Sequence, residues 1–194
     1  MRSAERHGRG DTRQRIQETA LECFLVRGYE RTTLREIAVR LGVTKAALYY
    51  HFKTKEDILV SLFLDVGRRM DELIEWGRRQ PRGLEVRREL LAQCSVIFSS
   101  AAPLFTVLHA NEAALSELSV GRAFKNRVSA LSGLFREPDA PVAAQVRCIT
   151  ALLSLHFGTF ALSHVEGDPE EKRLALLDGA TELLTSAHEA RGLA

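Results

Sequence analysis

The stretch GYERTTLREIAVRLGVTKAALYYHFKTKEDIL, residues 28–59, decides how this chain folds. Thr33 followed by Glu36 is a capping-box pair, which starts a helix by satisfying its first free N–H groups. Leu34, Ile37, Ala38 and Leu41 then recur at spacings of three and four and make one apolar helix face. Ala38 is small where two helices must cross closely. Gly42 ends the helix, because glycine takes a positive φ at least cost. Thr44 caps the next helix, and Val43 and Leu48 are spaced as a hydrophobic staple across that cap. Thr54 and Asp57 mark a third start. The helix they open carries Leu59, Leu62, Phe63, Val66, Met70 and Leu73 on one side. Two short helices around a glycine turn, followed by a long one, form a helix-turn-helix pattern.

Outward from this stretch the chain reads as helices throughout, with no strand-like alternation, internal repeat or low-complexity segment. Residues 1–10 are polar, basic and glycine-bearing, and are expected to be a flexible arm in which Arg2, Arg6 and Arg9 carry the charge. A first helix is expected over 12–27, with Ile16, Ala20, Cys23 and Phe24 facing inward. The long helix should run over 55–79 and stop near Pro81 and Gly83. Further helices are expected over 85–100, from Pro103 to about 109, over 112–135 with a break near Gly121, over 142–165 and over 169–191. The expectation is an all-α protein of about nine helices. It has an arm (1–10), a three-helix helix-turn-helix domain (11–55) and a helical C-terminal domain (56–194).

Composition narrows the class. The chain has 194 residues, 45% hydrophobic and 27% charged, as in soluble globular proteins. The N-terminal segment has no apolar stretch of the kind a secretory signal needs. No uncharged apolar run approaches the roughly 18 residues of a membrane span, so a cytoplasmic protein with no membrane partner is expected. Cys23, Cys94 and Cys148 lie in apolar helical patterns and read as reduced core residues. Residues 1–55 hold 12 Lys and Arg against 6 Asp and Glu, a charge of +6, while residues 56–194 hold 15 against 19, a charge of −4. A basic head on an acidic body suits a protein that meets nucleic acid at one end only. The six histidines show no metal-ligand spacing with the cysteines, and there is no nucleophile elbow, phosphate-cradling glycine loop or dinucleotide fingerprint. No catalytic residue, metal ligand or cofactor is therefore assigned.

The first third of the chain resembles the DNA-binding domain of the TetR/AcrR family of bacterial transcriptional regulators. The residues that carry the resemblance are Gly28, Tyr29, Thr32, Thr33, Ile37, Ala38, Gly42, Val43, Leu48, Tyr49, His51, Phe52, Lys55 and Leu59. The rest matches only in length and helical character. The resemblance implies that the helix after Thr44 enters the major groove of double-stranded DNA. It gives Thr44, Tyr49, His51 and Lys55 phosphate-contact roles and puts Lys45 and Ala46 where bases are read. Lysine can reach the guanine O6/N7 edge, and alanine can meet a thymine methyl. Tyr50 is left at the rim of this surface, and Thr33 begins a helix whose N–H groups can face phosphate.

The same resemblance implies a homodimer, a small-molecule effector bound in the C-terminal domain, and repression. The penultimate helix is apolar nearly all round, which calls for burial on all sides. A second subunit is expected against it, with Leu155, Gly158 and Leu162 from that helix and Leu176, Ala180, Leu183, Leu184 and Ala187 from the last. An apolar set comprising Trp76, Phe98, Phe105, Phe124, Phe157 and Phe160, with His109 and His156 as polar anchors, is expected to line an effector pocket. Glu112 and Glu117 look solvent-facing, which favours a neutral, largely hydrophobic effector. The competing reading is a DNA-binding regulator without a ligand, whose C-terminal domain only holds two copies together.

Overall fold

The computed structural model describes residues 2–111, 119–137, 139–162 and 164–190. Among these the chain is all-α, with eight helices and no strand. They are α1 (Arg2–Arg27), α2 (Leu34–Leu41), α3 (Lys45–His51), α4 (Lys55–Arg79), α5 (Leu84–Ala110), α6 (Ser119–Phe135), α7 (Val142–Ala161) and α8 (Pro169–Glu189).

Three features depart from the sequence reading. Helix α1 begins at Arg2, ahead of the start expected at residue 12. Once a helix is nucleated downstream, each added residue costs little, and no proline stands in the way. Pro103 does not open a separate helix but lies inside α5. A proline in a helix interior loses one backbone hydrogen bond and clashes with the preceding turn. Here Ala101, Leu104, Phe105 and Val107 around it are all buried, and that burial holds the helix through the defect. Gly121 is passed without a break, whereas Glu112 and Glu117 lie outside the described residues.

The residues fall into two units, 1–65 with 103–120, and 66–102 with 121–194. The divisions lie within α4, within α5 and near the start of α6. In the first unit, Ile16, Ala20, Cys23 and Phe24 of α1 are buried, as are Tyr29, Ile37, Ala38, Leu48, Phe52, Ile58, Leu59 and Phe63. The opening turns of α4 belong here, beyond the boundary expected after residue 55. The buried Gln17 fastens them to α1: its Nε2 donates to Ser61 Oγ at 2.9 Å and to Asp65 Oδ2 at 3.0 Å.

The second unit has its own core, with Met70, Leu73 and Ile74 of α4, Leu90, Leu91, Cys94 and Phe98 of α5, and Leu131 and Phe135 of α6. Ala144, Cys148, Ala151, Leu152 and Leu155 of α7 join them, with Ala180, Leu184 and Ala187 of α8. By length and composition α5 is apolar enough to cross a membrane, with a mean hydropathy of 1.6 over its best window, but 56% of that window is buried inside the protein. All three cysteines are free and buried. Burial pushes their thiols up, that of Cys94 to about 12, so they are inert neutral core groups.

Candidate nucleic-acid interface

The helix-turn-helix is built by local hydrogen bonds that the sequence specifies. The Thr33 side chain accepts from Glu36 N at 3.3 Å, and Glu36 Oε2 accepts from Thr33 N at 2.9 Å, closing the capping box of α2. That N–H bond, reinforced by Thr33 Oγ and by Arg27, holds the Glu36 carboxyl below the usual carboxylate range. Gly42 ends α2 at φ 74° and donates to the last carbonyls of the helix. Thr44 caps α3 by accepting from Ala47 N at 3.1 Å. Leu48 is fully buried and fixes the roll of α3 about its axis.

With Leu48 inward, Thr44, Lys45, Ala46 and Tyr50 are exposed, and Tyr49 and His51 are half-buried beside them. Thr44 and Lys45 stand at the positive end of the α3 peptide dipoles, where N–H groups lack helical partners and favour an anion. The Lys45 ammonium lies 5.2 Å from the centroid of the Tyr49 ring. Tyr50, 64% exposed, meets His51 edge-on at 5.2 Å between centroids. Seven of the eight candidate DNA residues thus sit on α3 or at its Thr44 cap, or at the cap of α2.

Lys55 stands apart. Its ammonium donates to the Tyr29 carbonyl at 2.8 Å and the Glu30 carbonyl at 3.0 Å and lies 4.4 Å from the centre of the Tyr29 ring. It is engaged by the turn after α1. Thr33 is engaged too, since both its N–H and its hydroxyl bond Glu36. The sequence reading left out Arg35, which is exposed in the first turn of α2 and has no acid partner among the described residues. Its signal was an unpaired arginine two places after a helix cap.

The turn before α2 is equally specified. Gly28 takes φ 87°, which only glycine adopts freely. The buried Thr32 hydroxyl donates to Gly28 O at 2.9 Å, closing the end of α1. Tyr29 is 2% exposed and meets Phe24 edge-on at 5.0 Å, while its hydroxyl is buried without a hydrogen-bond partner among the described residues.

The expected effector residues divide between the units. Phe105 and His109 belong to the first, the others to the second. In the second, His156 gathers three aromatic rings: Phe157 at 4.5 Å, Phe98 at 5.3 Å and Phe124 at 5.4 Å between centroids. Trp76 lines a separate groove with Leu73, Val96 and Ile97. Phe157 and Phe160 are 46% and 51% exposed.

The residues expected at a dimer interface differ in how far they are exposed. Leu155, Ala180, Leu184 and Ala187 are buried in the chain's own core. Gly158 serves α8 of the same chain: a Cβ there would stand 2.5 Å from Leu176 Cδ2. Leu162 and Leu183 are half-buried. A helix apolar on all sides turns one side to its own core, and the residues left for a partner are the others.

A family model described as bacterial regulatory proteins, tetR family, matches residues 16–62. The chain is 36% identical over 81 residues to the HTH-type transcriptional repressor AcnR of Corynebacterium diphtheriae, covering 41% of this chain and 40% of that protein. It is 39% identical over 83 residues to the HTH-type transcriptional regulator AcrR of Shigella flexneri, covering 42% and 39%. The chain therefore spans about two fifths of the length of these curated relatives. Over 89% of its length it superposes on Mycobacterium smegmatis AmtR, covering 85% of that chain, with a TM-score of 0.64 and 26% identity. A transcriptional regulator from Aquifex aeolicus matches in fold alone, with a TM-score of 0.64 at 21% identity, covering 89% of this chain and 99% of that one.

Proposed function

We propose that this chain is a TetR/AcrR-type transcriptional repressor, as its similarity to that family supports, that binds a palindromic or near-palindromic operator as a homodimer and releases it when a small molecule binds the second unit. The observation that carries the DNA reading is α3, capped by Thr44, with Lys45 and Ala46 exposed at its N-terminal end and Tyr50 exposed in its last turn. Phosphate contacts from Thr44, Tyr49, His51 and Arg35 supply affinity, and Lys45 and Ala46 supply base preference. Lys55 acts through the turn it holds. One short helix reads few base pairs, so two heads are needed, on half-sites about 34–36 Å apart or a multiple of that.

The dimer face is the exposed side of α7. Val142, Val146, Leu153, Phe157 and Phe160 are all exposed. At 100° per residue they lie within about 60° of one another around the helix. Leu174 of α8 is exposed as well. So contiguous an apolar stripe marks a protein contact, and its two-fold mate is the occupant. A variant carrying Leu153→Glu and Phe157→Glu should sediment as a folded monomer. Sedimentation like the parent's would move the interface elsewhere.

Pull-down of bound genomic DNA tests the whole reading. A common palindrome, bound less tightly by a Lys45→Ala, Tyr50→Ala variant, supports it, and recovery of no shared sequence overturns it. Effector release follows from differential affinity. A ligand that favours the DNA-incompetent state by about 2–3 kcal/mol weakens operator binding by roughly thirty- to a hundredfold or more. By reciprocity, operator must weaken ligand binding by the same factor. Equal ligand affinity with and without saturating operator would leave the regulator without an effector, its second unit a dimer scaffold, as the better account.

A further inference from the structure

A cavity of about 160 Å³ opens in the second unit where the end of α4, the following turn, the start of α5 and the end of α6 meet. It is far smaller than the ~300–1,000 Å³ of drug-sized sites. Its lining is charged in one direction. Arg78, Arg82, Arg87 and Arg136 face it, with Glu137 as the one acid. Arg87 is 6% exposed and pairs with Glu137, Nη2 to Oε1, at 2.8 Å. That pair is balanced. Arg78, Arg82 and Arg136 are exposed at the rim and have no acid partner among the described residues. Leu90 and Leu134 supply an apolar wall.

The start of α5 adds to the same preference. Arg87 N donates to Gly83 O at 3.2 Å, which makes Gly83 the cap residue of this helix. Glycine brings no side-chain acceptor, so the first N–H groups of α5 keep room for an acceptor from outside. A Cβ at Gly83 would meet nothing within 4 Å. Three unpaired guanidiniums, an open helix start and an apolar wall converge on one small space.

The geometry points to this cavity as the binding site for a small organic carboxylate, held by Arg82 and Arg136 with its short apolar part against Leu90 and Leu134. Guanidinium forks match a carboxylate in two parallel hydrogen bonds. The inference rests on the effector reading only for its consequence, because occupancy at the last turn of α4 would make this carboxylate the effector. It also replaces the expected neutral, hydrophobic ligand by an anionic one.

The test uses benzoate and butyrate as probes, each against its neutral alcohol, benzyl alcohol and butanol. Calorimetry and thermal shift are run at matched ionic strength on the full chain without DNA. Expected is one site per chain that takes the carboxylates at least tenfold more tightly than the alcohols. A variant carrying Arg82→Ala and Arg136→Ala should lose at least tenfold in carboxylate affinity. Arg79→Ala should leave it unchanged, since Arg79 lies outside the cavity and pairs with Glu75. Gly83→Asp should raise the melting temperature by capping α5 and abolish binding by filling the anion position. Equal binding of acid and alcohol, the same loss in Arg79→Ala, binding of inorganic phosphate but neither carboxylate, or no binding at all would overturn the proposal. Carboxylate binding with no effect on operator affinity would leave the site standing and remove its role as effector.

Discussion

Lys55 and Tyr29 are joined twice: the ammonium lies 4.4 Å from the centre of the tyrosine ring and donates to that residue's own carbonyl at 2.8 Å. The first residue of α4 thereby closes the turn that follows α1. Lys55→Met should lower the stability of the protein by about 1.5–3 kcal/mol, the scale of a charged hydrogen bond, read by urea denaturation. The slope of log affinity against log salt should stay unchanged. A slope reduced by about one unit would return Lys55 to the phosphate-contacting set.

Lys45 should behave in the opposite way. It is exposed at the start of α3, with the Tyr49 ring 5.2 Å from its ammonium. Lys45→Ala should leave the melting temperature unchanged and relax discrimination at one base pair per half-site by about 1–3 kcal/mol. Binding to an operator series substituted at each position measures this. A uniform loss across the series would make Lys45 a phosphate contact.

Tyr29 carries a pH signature. Burial, with help from Glu56 and Glu30, pushes its phenol up to about 12, whereas an unfolded chain ionises near 10. Above pH 10 the unfolded state loses a proton that the folded state keeps, so stability falls as pH rises from 10 to about 12, at up to about 1.4 kcal/mol per pH unit. Tyr29→Phe should remove this part of the decline. At neutral pH it should be neutral or stabilising by up to about 1 kcal/mol, because the buried hydroxyl it deletes has no partner among the described residues. Parallel alkaline denaturation of the two proteins checks both statements.

Glu36 gives the matching effect at low pH. Its carboxyl is held low by Thr33 N–H, so its contribution is present above the ordinary value of 4.5 and is lost as pH falls through the depressed one. Glu36→Gln should flatten acid unfolding below pH 4.5, leaving a protein less stable near neutrality. An acid transition unchanged in shape would mean that other carboxylates govern it.

The head was legible because its signals are local. Thr33, Glu36, Gly42 and Thr44 act within four residues of themselves, and each makes the cap its type implies. Long-range choices were not. Whether Lys55 meets DNA or the carbonyl of Tyr29, 26 positions earlier, depends on how α1 lies against α4. Gly158 announces a close approach but not which helix approaches, and Leu176 of the same chain is what fills it. The arginines of the α4–α5 cavity span positions 78 to 136 and have no common spacing, so only the fold gathers them.

Pro103 has a consequence for how α5 yields to solvent. The bond its missing N–H would have made to the Ser99 carbonyl is absent, and the division between the two units falls at Ala102 and Pro103. A helix with a missing rung at the seam between two contact groups need not open as one cooperative block. In native-state hydrogen exchange, amides before Ser99 should share one opening free energy, and those after Pro103 a second. In this sense α5, a single helix, opens as two foldons.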